Sequence, residues 1–248
     1  MNDAIPKIIH VSWKNKSFLS STNLLIINGM RRLRDLNPEW DFQISDDNDV
    51  NRYLKKHLQA KDWSLLRDRH IVEKVDVWRL LKMNIEGGCY CDIDRLCNSS
   101  LDALIAEDVT IVLPVYRDYD FSQDFMCGVS QHNVYSRALS LNLERRRQGF
   151  ADILFLGPVT YFHSVTEFLV GHQLERGSRI ATLRRICRST PTISTYDETS
   201  DTDTYIHRDA DFSCLEDTAQ LKEDFYRDSG VAHWTVTNPP TSLSIKTS

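Results

Sequence analysis

Residues 72 to 94 read VEKVDVWRLLKMNIEGGCYCDID, and no other stretch constrains the fold as tightly. Val72, Val75, Val77, Trp78, Leu80, Leu81, Met83 and Ile85 put apolar groups almost all round a helix, which therefore has to be largely enclosed. Gly87-Gly88 ends that helix, because glycine tolerates the left-handed conformation that helix C-termini commonly adopt. If Cys89 to Asp94 is a strand, side chains alternate: Cys89, Cys91 and Ile93 face one side, Tyr90, Asp92 and Asp94 the other.

The flanking sequence supplies the rest of a layered domain. Ile5 to Trp13 is apolar and β-branched and reads as a first, buried strand. Thr22 to Leu36 carries Leu24, Leu25, Ile27, Met30, Leu33 and Leu36 at helical spacing, and Asn37-Pro38 stops it. Trp40 to Ile44 predicts a second strand, followed by the acidic turn Ser45 to Asp49 and a helix to Leu58. Strands are expected again at 109–115 and 125–130, helices at 133–147 and 158–170, and a late strand at 231–236. This order predicts an α/β fold with a mostly parallel central sheet flanked by helices. Residues 1–237 are expected to form one domain and 238–248 a frayed tail. The Ser-, Thr- and Asp-rich stretch 189–211 reads as a surface excursion.

Composition narrows the partners. A net charge of −5 disfavours a duplex nucleic-acid binder, whose affinity comes largely from neutralising phosphates, so Arg145-Arg146-Arg147 and Arg184-Arg185 with Arg188 read as solvated faces. No apolar run approaching the ~20 residues of a membrane span is evident, and MNDAIPKIIH lacks the pattern of a secretory signal. Six scattered cysteines fit a reducing compartment, without the second CxxC or histidine pair a zinc site requires. The expectation is a soluble, cytoplasmic protein with no integral membrane segment and no nucleic-acid partner.

Asp92 and Asp94 share a strand face and start roughly 6.6 Å apart at about 3.3 Å per residue, so one directly binding and one indirectly acting carboxylate is the natural division. Two such charges repel, and a divalent cation relieves the repulsion; carboxylate oxygens suit Mg²⁺ or Mn²⁺, which keep positions open for phosphate oxygens. Open α/β sheets place their ligands at the C-terminal edge, where these residues fall.

Four ordered blocks, IPKIIHVSWK, NPEWDFQISDDND, KVDVWRLLKMNIEGGCYCDID and LGPVTYF, resemble glycosyltransferase family 32, the family with a DXD-containing sugar-binding region, itself distantly similar to the glucosylating domains of large clostridial toxins. The resemblance covers residues 5 to 170, with a fainter match at 231–234. It implies a GT-A (Rossmann-like) fold, a nucleotide-sugar donor (UDP favoured, GDP second), a glycan or other hydroxyl acceptor as in polysaccharide biosynthesis, Mn²⁺ or Mg²⁺, and transfer with retention. On this chain it makes Trp13 the aromatic on which the donor base stacks. Asp76 and Arg79 match a D-x-x-R pair that holds the donor's sugar or ribose and its phosphates. Asp94 becomes the direct metal ligand and Asp92 the ribose-binding or water-mediated partner, and His233, in VAHW, reaches the metal or diphosphate. His10 reads as a core or supporting group.

HWTVTNPP stands where the family often has a glycine-serine pair and a second tryptophan, which leaves the closing lid undefined. The implied chemistry is cleavage of the sugar–diphosphate bond, assisted by the cation bound through Asp94 and by Arg79. Nothing marks a carboxylate nucleophile, so front-side attack is the favoured route to retention. Asp124, before the strand FMCGVS, is a candidate for lining the sugar pocket. The alternatives are a D-x-D phosphatase-like hydrolase, which needs a small or β-branched residue where this chain has Leu96, and a non-catalytic nucleotide-sugar-binding module.

Overall fold

The computed structural model describes residues 4–17, 24–93, 100–105, 109–116, 120–121, 123–175, 179–184 and 204–207. Along them run β1 (Ile8–Ser12), α1 (Leu24–Leu36), β2 (Asp41–Ser45), α2 (Asp47–His57), α3 (Ala60–Leu66), α4 (Ile71–Ile85), β3 (Gly88–Cys91) and α5 (Leu101–Leu104). They continue as β4 (Val109–Tyr116), β5 (Asp120–Phe121), β6 (Phe125–Gly128), α6 (Asn133–Arg147), α7 (Ile153–Leu156), α8 (Pro158–Glu175), β7 (Arg179–Arg184) and β8 (Thr204–His207).

One mixed sheet runs in the order β2-β1-β3-β6-β4-β7-β8, with β5 beside β4. The parallel pairings are β1 with β2 and β3, and β7 with β4 and β8. β6 lies antiparallel between β3 and β4. The sheet divides two apolar layers. Ile9, Val11, Cys89, Cys91, Phe125 and Cys127 pack with Met30 and Leu33 of α1 on one face. Tyr90, Ile111, Leu113 and Met126 pack with α2, α4, α6 and α8 on the other. The alternation expected of Cys89, Tyr90, Cys91 and Ile93 is therefore observed, Ile93 falling in the first layer.

Local chemistry sets the element ends. Asn37 closes α1 by donating its amide to the Leu33 carbonyl at 2.6 Å. The acidic turn is a capping box: Asp46 accepts from the Asp49 N–H while the Asp49 carboxylate accepts from the Asp46 N–H, satisfying donors that α2 cannot bond internally. α4 is buried along most of its length, as its composition demands. Gly87 and Gly88 follow it with φ of +68° and +89°. A Cβ on Gly88 would stand 2.5 Å from the Ile8 carbonyl oxygen, and one on Gly87 2.6 Å from the Ser130 nitrogen, so close packing as well as backbone conformation excludes side chains here. His10 of β1 is buried beneath this turn and donates from Nε2 to the Gly87 carbonyl at 3.0 Å.

Three expectations need correction. Cys89 and Cys127 are not free core thiols: they stand opposite one another on antiparallel β3 and β6, Cα atoms 4.1 Å apart, joined as a disulfide. Alternation along one strand gives the face of a cysteine and not its cross-strand neighbour. Residues 204–207, inside the supposed surface excursion, form β8 on the sheet; Tyr205 and Ile206 supply the β-forming core of this otherwise polar stretch. Ile153–Gly171, 19 residues, is long and apolar enough by length and composition to cross a membrane. Gly157 interrupts it, and Tyr161 and Val165 seat its second part in the core. The strand expected at 231–236, the helix start at residues 22–23 and the tail at 238–248 lie outside the described residues.

Candidate active site

The ends of β1, β2 and β3 and the start of antiparallel β6 fall on one sheet edge, bringing Ser12, Trp13, Ser45, Asp92 and Asp124 to the same rim. The backbone fixes them there: the Trp13 N–H donates to the Ser45 carbonyl at 3.0 Å and the Asp92 N–H to the Asp124 carbonyl at 2.8 Å. Trp13 is partly buried against the first core layer. α4 runs behind this rim and aims Asp76 and Arg79, one turn apart, at the end of β3.

Arg79 is the hub. Its Nη2 pairs with Asp76 Oδ1 at 2.8 Å, and its Nη1 donates to the Gln123 carbonyl at 3.0 Å and stands 3.5 Å from Asp92 Oδ1. The guanidinium also lies over the Tyr90 ring, 4.8 Å from its centre. The Tyr90 hydroxyl donates in a short hydrogen bond to Asp92 Oδ1 and is itself bonded by Ser12. Gln123 donates from Nε2 to Asp76 Oδ1 at 3.0 Å.

Burial and charge act in opposite directions here. Asp76 and Arg79 are nearly inaccessible, while the Asp92 side chain keeps 32 % of its surface in solvent and is the member of the group that a ligand meets first. Burial pushes the Asp76 carboxyl up to about 6; Arg79 opposes this and the Asp92 charge adds to it. Burial also pulls on Arg79, but the ring of Tyr90 and the carboxylates of Asp92, Asp76 and Asp124 hold it above the ordinary arginine value. Tyr90 is raised well above its usual range by burial first, with Asp92 adding. Among the described residues of this network, one guanidinium faces three carboxylates. A carboxylate group of this kind, with Asp92 about one-third exposed, suits a hard divalent cation. Among the described residues no three His, Cys, Asp or Glu side chains converge into a complete cation site.

The α7–α8 corner closes the network from the far side. A Cβ at Gly157 would stand 3.0 Å from both Asp76 Cγ and Gln123 Nε2 and closer still to Asp76 Oδ2, so the LGPVTYF block can seat on the buried carboxylate only with glycine at that position.

Residues 5–111 match the family described as "Glycosyltransferase sugar-binding region containing DXD motif". That stretch of the chain is similar to the DXD glycosyltransferase region. Mannosyl phosphorylinositol ceramide synthase SUR1 of Saccharomyces cerevisiae is 25% identical over 135 residues, 54% of this chain and 34% of the relative. Inositol phosphoceramide mannosyltransferase 3 of Schizosaccharomyces pombe is 28% identical over 105 residues, 41% of this chain and 28% of the relative. The chain thus spans about a third of the length of these curated relatives. In structure it is similar to the PaToxG glycosyltransferase, with a TM-score of 0.54, 17% identity, and coverage of 70% of this chain and 73% of that one. That similarity supports the GT-A-like α/β fold.

Of the residues that sequence singles out in the glycosyltransferase region and beyond, Asp76, Arg79, Asp92 and Asp124 form one connected cluster, and Trp13 lies on the same rim. Asp94 and His233 lie outside the described residues. His10 is a core group: burial first, then Lys82, lowers its pKa, so it is the neutral ring that holds the Gly87 carbonyl. Sequence reasoning gave no role to Tyr90, Gln123 or Gly157. Tyr90 was visible through its shared face with Asp92; Gln123 and Gly157 act through contacts between elements distant in sequence.

Proposed function

We propose that this chain transfers a hexosyl or deoxyhexosyl group from a nucleoside diphosphate sugar to a hydroxyl acceptor, with retention and with a divalent cation. The observation that carries the reading is the coupling of Arg79, Asp76 and Asp92 at the C-terminal sheet edge, within the segment that matches the DXD family. UDP is the favoured nucleotide and GDP the second. Mannose joins the sugars to test first because the names of two relatives refer to a mannosyl group.

Asp92, Asp94 and His233 would hold Mn²⁺ or Mg²⁺, which when bound supplies Lewis-acid stabilisation to the diphosphate. Trp13 offers an indole face to the base. Arg79 holds a fixed positive charge behind Asp92, facing the region where negative charge grows as the bond from the anomeric carbon to the phosphate oxygen breaks. The acceptor oxygen bonds to the anomeric carbon from the same side, and its proton passes to the departing phosphate oxygen. Tyr90 orients Asp92, and Asp124 lines the sugar end of the pocket.

The test is nucleoside diphosphate release from UDP-glucose, UDP-galactose, GDP-mannose and GDP-fucose with Mn²⁺. One donor is expected to turn over, and Asp92→Asn and Asp94→Ala to abolish release while leaving the fold intact. Full activity of Asp94→Ala contradicts the metal assignment; no release from any donor contradicts the transferase reading.

A further inference from the structure

The Asp76–Arg79 network has two valences left over. Gln123 is 7% exposed, and its Oε1 accepts no hydrogen bond among the described residues. Arg79 Nε, in the same network, donates none there. Neither is an accident of how the amide is oriented. Nε2 of Gln123 donates to Asp76 Oδ1 at 3.0 Å, and turning the amide over would set a carbonyl oxygen against that carboxylate. Arg79 Nη1 on the Gln123 backbone carbonyl and the missing side chain of Gly157 hold the residue in place from two other directions. Asn84 Oδ1 is also a buried acceptor without a donor among the described residues, but only Gln123 Oε1 belongs to the carboxylate–arginine network at the rim, where an unfilled acceptor calls for a bound group.

We infer that the side-chain carbonyl of Gln123 accepts a hydrogen bond from a hydroxyl of the donor sugar, making Gln123 a residue that selects which hydroxyl pattern is transferred. This rests on the transferase reading above. Gln123 has two separable duties, since Nε2 holds Asp76 and Oε1 reads the sugar. Loss of the first weakens every donor alike; loss of the second weakens only donors that carry the hydroxyl in question. A site built around a substrate hydroxyl discriminates strongly against the analogue that lacks it, because its own buried acceptor is then left unpaired.

The test compares kcat/KM for whichever of UDP-glucose, UDP-galactose, GDP-mannose or GDP-fucose turns over with that of its monodeoxy analogues, each lacking one hydroxyl. In the unmodified chain one analogue is expected to fall by roughly tenfold or more. In Gln123→Met, which keeps side-chain length and removes the carbonyl, that ratio is expected to collapse towards one, while ratios for the other positions persist. Gln123→Asn retracts the carbonyl but keeps an amide; it provides a second variant should Gln123→Met fail to fold, and the same single ratio is expected to collapse. Ratios unchanged at every position, with all donors weakened alike, overturn the inference and leave the transferase reading standing; such a result also fits a buried water on Oε1. No release from any donor by the unmodified chain overturns both.

Discussion

Successive turns of α4 bury a carboxylate against an arginine, and the two pairs differ in what surrounds them. Near the N-terminus of the helix, Glu73 accepts from Arg146 Nη1 at 2.6 Å, with side chains 5% and 4% exposed. Arg146 Nε bonds Asn142 at 2.8 Å, Asn142 bonds the Leu156 carbonyl at 2.6 Å, and none of these three residues has an unpartnered buried side-chain atom among the described residues. One turn further along, Asp76 and Arg79 are as deeply buried, yet Asp92 reaches solvent, and Arg79 Nε and Gln123 Oε1 have no hydrogen-bond partner among the described residues. Equal burial thus accompanies different roles. The closed pair joins α4 to α6, and the open one is the pair that the proposed function assigns to the donor.

The sharpest way to break this comparison is at the closed pair. Arg146→Ala leaves Glu73 charged, buried and unpaired, and is expected to lower unfolding free energy by about 3–5 kcal/mol in urea titration. Activity per folded molecule should change little. If Arg146→Ala instead abolishes turnover in protein that remains folded, the two pairs on α4 do not divide structure from function.

Asp76 sharpens the other side. Its carboxyl titrates near 6 in the folded chain against an ordinary 3.8, so the folded state holds the proton more tightly than the unfolded one. The stability this contributes is fully present below about pH 4 and is lost as pH rises through 6, on the order of 2–3 kcal/mol. Asp76→Asn should flatten that slope in urea midpoints taken between pH 4 and 7.5. A slope unaltered by the substitution would locate the titrating group elsewhere.

Gly157→Ala should cost roughly 1–3 kcal/mol, because the corner between α7 and α8 has to move off Asp76 and Gln123. Its effect on kcat/KM should exceed that of Arg146→Ala, although Gly157 belongs to neither pair. The smallest effect belongs to the surface pair of Arg137 and Glu167, 2.6 Å apart with side chains 44% and 39% exposed. Glu167→Gln is expected to change stability by about 0.2–1 kcal/mol, an amount that salt should erode.

The elements that decide the architecture were legible because each is locally overdetermined. The all-round apolar pattern of α4, the glycine pair after it and the limits of α6 at Asn133 and Arg147 follow from residues adjacent in the chain. Asp76, Arg79 and Asp92 were legible through the resemblance to the DXD glycosyltransferases, since the spacing of Asp76 and Arg79 alone reads as an ordinary helix ion pair. What remained hidden depends on contacts that no local pattern encodes: the Cys89–Cys127 bridge between strands 38 residues apart, the approach of Gly157 to Asp76, and the leftover carbonyl of Gln123. α3, whose seven residues span less than two full turns, gave too short a pattern to stand out.

The central claim is tested most directly by a crystal structure of the chain with Mn²⁺ and the donor that turns over, or its nucleoside diphosphate product. The account predicts the diphosphate beside Asp92 and in front of Arg79, with the base against Trp13. A nucleotide bound elsewhere, with Asp92 still closed by Tyr90 and Arg79, would contradict it.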